Sequence, residues 1–213
     1  MCSIFGSFSI DKIRKLAALN SYRGQHSYSY SYYDPEERKI TYMRRNLGTL
    51  PIDEIDIPEG QYCIAHMQAP TTSNKTYEYI HPAGHRDGDS IVYLWHNGII
   101  KEKSIKEMQE RLGVNKSWDT YLILYQYYNI NSLNNIDGTF SCVYYQEDTG
   151  LKLFRNEISP LFIDKDHNIS STKFDQSTPL KPNIIWRFNP GESIIEIDTF
   201  NTVENPYFFT DTL

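Results

Sequence analysis

The chain opens Met1-Cys2-Ser3-Ile4-Phe5-Gly6-Ser7-Phe8-Ser9, and this stretch decides the fold. Its side chains alternate in the manner of a β-strand. An initiator methionine is normally trimmed before a small residue, which leaves Cys2 with a free α-amine beside its thiol. An α-amine has a pKa of about 7.7–8.0 and a thiol one of about 8.5. Near neutral pH the amine can therefore take the thiol proton without a separate histidine base. By position alone, a cysteine at residue 2 is more often an arbitrary residue at a frayed terminus.

Working outward, residues 10–20 place Ile10, Ile13, Leu16 and Ala17 on one helical face. Residues 28–33 alternate Tyr and Ser, a strand pattern, and 39–44 can pair with them across the Asp34-Pro35 turn. Buried strands are predicted at 61–67 and 90–96, with a long polar loop over 69–89 between them. In that loop His85-Arg86-Asp87 is expected to be a solvated turn. Ser104 and Glu107 form a capping box at the head of a helix that stops at Gly113. A second helix is predicted over 118–129. From 139 onward strands dominate, at 139–147, 151–155, 161–164, 169–172, 184–188 and 193–197. Strands at both ends with helices between imply an α+β layered sandwich. No repeat or linker interrupts the 213 residues, so 1–213 is expected to be a single domain.

Composition excludes several function classes. With 21 Lys+Arg against 27 Asp+Glu the net charge is -6, and the densest basic patch is Arg44-Arg45. Such a surface repels a phosphate backbone, so no nucleic acid partner is expected. Three cysteines without a CxxC spacing argue against a disulfide framework or a zinc set, and for a reducing compartment. His66, His81 and His96 lack metal-ligand spacing, and Cys63 and Cys142 sit in apolar strand patterns as expected inert thiols. Residues 1–10 have no basic leader region, and no stretch approaches the roughly 18 apolar residues of a membrane span. A soluble cytoplasmic protein without a metal, cofactor or membrane partner is the expectation.

Several segments in order then resemble one family. Met1-Cys2-Ser3-Ile4-Phe5-Gly6 resembles the opening of class II glutamine amidotransferases, N-terminal-nucleophile hydrolases, and looks closest to the glutaminase domain of asparagine synthetases. Tyr22-Arg23-Gly24-Gln25-His26-Ser27 is similar to the family's Arg-Gly-Pro-Asp segment, with Pro and Asp replaced. Ile64-Ala65-His66-Met67-Gln68 resembles the strand that ends in a glutamine-binding arginine, and His96-Asn97-Gly98 the Asn-Gly oxyanion pair. Trp118-Asp119-Thr120 falls where the family has Ser-Asp before a helix. Asp137-Gly138-Thr139-Phe140 and the run from Phe154-Arg155 to Pro160-Leu161 resemble a Gly-Met-Phe-Ala strand and the hairpin after it.

The resemblance implies a four-layered α/β/β/α sandwich of two mostly antiparallel sheets, spanning a single type-2 amidotransferase domain. It implies that Cys2 attacks glutamine, that Asn97 and Gly98 form the oxyanion hole, and that Asp119 binds the substrate ammonium. Arg23, Gln68, Thr71 and Thr72 fall at substrate-binding positions. Taken alone, Asn97-Gly98 is a hairpin turn and Asp119 a helix-start carboxylate. Gln68 departs from the pattern, because an amide replaces the arginine that clamps the substrate carboxylate. Three readings stay open: glutaminase feeding ammonia to a separate ATP-dependent synthetase subunit, hydrolase of another γ-glutamyl amide, or an inactive domain kept as a binding or regulatory subunit.

Overall fold

The computed structural model describes residues 2–69, 77–201 and 203. In chain order the elements are β1 (Ser3–Ser7), α1 (Ile10–Asn20), β2 (Ser27–Asp34), β3 (Lys39–Leu47), β4 (Tyr62–Gln68), β5 (Ala83–Asp87), β6 (Ser90–Ile100), α2 (Glu102–Leu112) and α3 (Asp119–Ile130). Seven strands follow: β7 (Gly138–Gln146), β8 (Gly150–Arg155), β9 (Phe162–Ile163), β10 (Ile169–Ser170), β11 (Thr178–Pro179), β12 (Ile184–Phe188) and β13 (Ile195–Thr199). They form two antiparallel sheets, ordered β11-β9-β10-β1-β4-β2-β3 and β13-β12-β8-β7-β6-β5.

Side-chain alternation explains why the sheets stack. In β2 the even residues Tyr28, Tyr30 and Tyr32 turn to α1, where they bury with Phe5, Ile13, Leu16 and Met67. The opposite face carries Tyr33, which joins Ile4, Ile64, Trp95, Val143 and Leu153 between the two sheets. The far face of the second sheet presents Leu94, Cys142, Tyr144 and Phe154 to Met108 of α2 and Leu122 and Ile123 of α3. Three apolar seams thus separate four layers: α1, the first sheet, the second sheet, and the α2–α3 pair. Each fully buried side chain of the Ile4 or Leu153 kind contributes roughly 1.5–3 kcal/mol. Among the described residues no helix is long and apolar enough to cross a membrane.

The predicted helices and most of the predicted strands are present, and the differences have local causes. Ser104 does not cap α2. Lys101 occupies the N-cap position, while the Ser104 hydroxyl accepts the Asp137 N–H at 3.1 Å and so braces the approach to β7. The other end follows expectation, with Gly113 at φ 64° and its N–H on the Gln109 and Glu110 carbonyls. The predicted loop 69–89 contains the edge strand β5, paired to β6 from Ala83–Leu94 to Asp87–Ser90. An edge strand needs few apolar residues, which hid it. His85 lies in that strand rather than in a solvated turn, with its ring 5.0 Å from Tyr125. Thr71 and Thr72 lie outside the described residues.

Candidate active site

Cys2 stands just before β1, in the middle of the first sheet. Ser3 pairs with Met67 and Ile4 with His66, so β4 carries the chain past the cysteine. The Cys2 thiol donates to the Ala69 carbonyl at 3.6 Å. Gly24 approaches the same turn so closely that a Cβ would lie 2.3 Å from the Gln68 carbonyl carbon. Only glycine fits there.

From the second sheet, β6 brings up Asn97 and Gly98. A Cβ on Gly98 would lie 1.8 Å from the Thr139 carbonyl oxygen, so the two strands touch backbone to backbone. The two residues and Arg23 line a cleft of about 230 Å³, closed by Ile99, Thr139, Ile158, Ser159 and Pro160. That volume suits a ligand of amino-acid size. A larger cavity of about 470 Å³ lies beside Trp118 and Tyr79, but it contains none of Cys2, Asn97 and Gly98.

The cleft wall is stiffened from behind. Ser159 Oγ donates to the Asn97 carbonyl at 2.8 Å, and Asn97 Nδ2 lies 3.5 Å from the same hydroxyl. Asn156 Oδ1 accepts the Phe140 N–H at 3.2 Å and its Nδ2 donates to the Gly138 carbonyl at 2.7 Å. The Arg155 guanidinium donates to the carbonyls of Leu180 at 2.6 Å and Asn156 at 2.9 Å. The hairpin that the sequence marked by its Arg-Asn-Glu-Ile-Ser-Pro run is therefore a buttress held by its own polar side chains.

Charge at the site is concentrated on few groups. Burial pushes the Cys2 thiol up to about 11; the Asp119 carboxylate pushes the same way and the Arg23 guanidinium pulls it back. Both charges therefore act on Cys2. Arg23 is held by Nε donation to Thr172 Oγ1 at 2.9 Å and to the Tyr22 hydroxyl at 3.0 Å. Asp119 begins α3 and forms no part of the cleft wall described above. Its Oδ1 accepts the Thr120 N–H at 2.7 Å and its Oδ2 the Ile100 N–H at 3.4 Å.

Gln68 is engaged elsewhere. Its Oε1 accepts from Ser27 Oγ at 2.8 Å and its Nε2 donates to the Tyr79 carbonyl at 3.0 Å. The structure thus brings Arg23, Asn97 and Gly98 together around one cleft whose lining does not include Cys2, lets the Arg23 and Asp119 charges both act on Cys2, and gives Gln68 a bracing position. The sequence missed Ser159, Asn156 and Thr120. Residues that converge from separate strands and a helix leave no spacing signal. No group of three or more metal-ligating side chains gathers among the described residues.

A middle strand led by Cys2 in the first of two stacked antiparallel sheets, with helical layers outside them, is a fold that solved glutamine amidotransferase structures share. Among solved structures the chain is similar to glutamine phosphoribosylpyrophosphate (PRPP) amidotransferase from B. subtilis complexed with ADP and GMP, with TM-score 0.68, 20% identity, and 92% of this chain and 49% of that one covered. It is also similar to an allosteric regulatory enzyme of purine biosynthesis, with TM-score 0.69, 17% identity, and 92% and 48% covered. The chain spans about half the length of both. No family model matches the sequence, and no curated protein matches it.

Proposed function

We propose that the chain, once Met1 is removed, is a class II glutaminase whose nucleophile is Cys2. The α-amine takes the thiol proton, and the thiolate attacks the side-chain amide carbon of glutamine. The carbonyl π electrons move to oxygen, and the Asn97 Nδ2 and Gly98 N–H groups donate to that oxyanion. As the tetrahedral species collapses, the C–N bond breaks and the amine returns its proton to the departing nitrogen, which leaves as ammonia. Water then attacks the γ-glutamyl thioester, and glutamate and the free thiol result.

Arg23 is the cation for the substrate carboxylate in this reading, in place of the arginine that Gln68 replaces. Asp119 takes the substrate ammonium. The observation that supports the reading most is the cleft that Arg23 shares with Asn97 and Gly98. Ammonia is proposed to pass to a separate ATP-dependent synthetase subunit in the cytoplasm.

The test is direct. Intact mass should show the loss of one methionine, and a diazoketone analogue of glutamine should label Cys2 and not a Cys2→Ala chain. Trimmed protein that is neither labelled nor turns over glutamine would leave a binding or regulatory domain. A second reading, hydrolysis of another γ-glutamyl amide, is favoured by the engaged Gln68 amide. It predicts better turnover of γ-glutamyl amides that lack the free carboxylate than of glutamine.

A further inference from the structure

Behind the oxyanion strand lie three buried histidines that the mechanism above does not use: His66, His81 and His96. They come from β4, from the turn before β5 and from β6, and the His66 and His81 rings stack at 4.0 Å. One hydroxyl joins two of them. Thr120 Oγ1 lies 3.0 Å from His81 Nε2, 3.1 Å from His96 Nδ1 and 3.3 Å from Asp119 Oδ1.

The partners fix where the protons sit. His66 Nε2 faces the His96 carbonyl at 3.1 Å and His96 Nε2 faces the Thr139 carbonyl at 3.3 Å. A carbonyl only accepts, so both Nε2 atoms carry hydrogen. Burial holds all three rings below the usual imidazole pKa, His66 down to about 3, so they are neutral. His96 Nδ1 is then a bare acceptor, and the single Thr120 hydroxyl hydrogen is shared between it and the Asp119 carboxylate, which also only accepts. With that proton used, His81 Nε2 must be the donor to Thr120. Every polar hydrogen in the chain of contacts has an acceptor. The atoms left without partners, His66 Nδ1 and His81 Nδ1, are lone pairs rather than stranded hydrogens.

We infer that Thr120 is a positioning residue for the reaction at Cys2, its hydroxyl setting the oxyanion turn and Asp119 in one geometry. Two contacts carry this. His96 grips the Thr139 carbonyl, and that carbonyl is the atom packed against Gly98. The Thr120 hydroxyl also donates to Asp119 Oδ1 at 3.3 Å. The inference rests on the glutaminase reading.

The test compares Thr120→Val, which removes the hydroxyl at nearly constant volume, with Thr120→Ser, which keeps it. Misplacement of reacting groups by about 1 Å costs up to roughly a hundredfold. Thr120→Val should therefore lower kcat/KM for glutamine roughly tenfold to a hundredfold, with KM raised and kcat lowered, and Thr120→Ser should recover most of the loss. A merely structural role would reduce the active fraction and leave KM unchanged. Independently, ¹⁵N chemical shifts should show the Nε2–H tautomer on all three histidines, with the His96 signals displaced in Thr120→Val. Should Thr120→Val not fold, Thr120→Ala removes the same hydroxyl and should give the same split. Full kcat/KM in the folded valine variant, or a Nδ1–H tautomer on His96, overturns the inference while the glutaminase reading stands. A trimmed, unsubstituted chain without turnover overturns both.

Discussion

Cys2 owes its chemistry to what surrounds it as much as to its position. With Met1 attached, burial pushes the thiol up to about 11. It is then almost wholly protonated at neutral pH and needs a base. In the proposed mechanism the α-amine of the trimmed chain is that base, and a free amine loses its proton at about 7.7–8.0. Labelling of Cys2 by a glutamine-analogue electrophile should thus fall as pH drops below about 7.7 and level off above 8. A chain extended by one untrimmed residue should react at least about a hundredfold more slowly at pH 7.5. Equal rates would remove the amine from the mechanism. Asn97 offers a second test at this scale. Its backbone carbonyl holds Ser159, whereas its amide makes only a 3.5 Å contact. Asn97→Ala should therefore leave stability nearly unchanged and lower kcat by about 10²–10³, as expected for one oxyanion donor.

At the scale of elements, the site depends on two close backbone approaches. Gly24 sits against the Gln68–Ala69 backbone and Gly98 against Thr139. A Cβ at Gly24 has no room to move into, because its neighbours are backbone atoms rather than flexible side-chain ends. Gly24→Ala should cost about 3 kcal/mol in urea unfolding, at the upper end of the overpacking range. Ser9→Ala provides the comparison. Ser9 caps α1 by accepting the Lys12 N–H at 3.3 Å, and its loss should cost about 1 kcal/mol without altering the cleft. If the two variants lose equal stability, the close approach is not the constraint described. α1 was legible because its apolar spacing repeats every turn, and α2 because Gly113 stops it. β5 was not, since an edge strand exposed on one side carries little apolar pattern.

Across the whole molecule, the buried histidines couple stability to pH. His66, His81 and His96 are held neutral by burial, with His66 near 3. In the unfolded chain a histidine takes up a proton below about 6.5. Between these values the unfolded state binds more protons than the folded one, so stability rises with pH. The His66 contribution is fully present above about 6.5 and is lost as pH falls towards 3, with His81 and His96 acting in the same direction. His66 should lower the unfolding free energy by about 1.4 kcal/mol per pH unit in that window. Urea midpoints at pH 7 and pH 5 test this directly. An unchanged midpoint would mean that the histidines are solvated or charged in the folded protein.

What the sequence by itself determined was the set of elements and their inward faces, because helical and strand periodicities are written in neighbouring residues. The Tyr-Ser alternation of β2, the Ile13–Leu16–Ala17 face of α1 and the Gly113 stop of α2 are all local in this sense. The ordered segments around Cys2, Asn97-Gly98 and Asp119 also pointed to the amidotransferase sandwich. Only the tertiary structure decided how those segments meet. It placed Arg23 in the cleft with Asn97 and Gly98, committed Gln68 to Ser27 and Tyr79, and gathered His81 and His96 around Thr120. Those residues lie tens of positions apart, and their contacts follow from strand order and sheet stacking, which no window of neighbouring residues encodes.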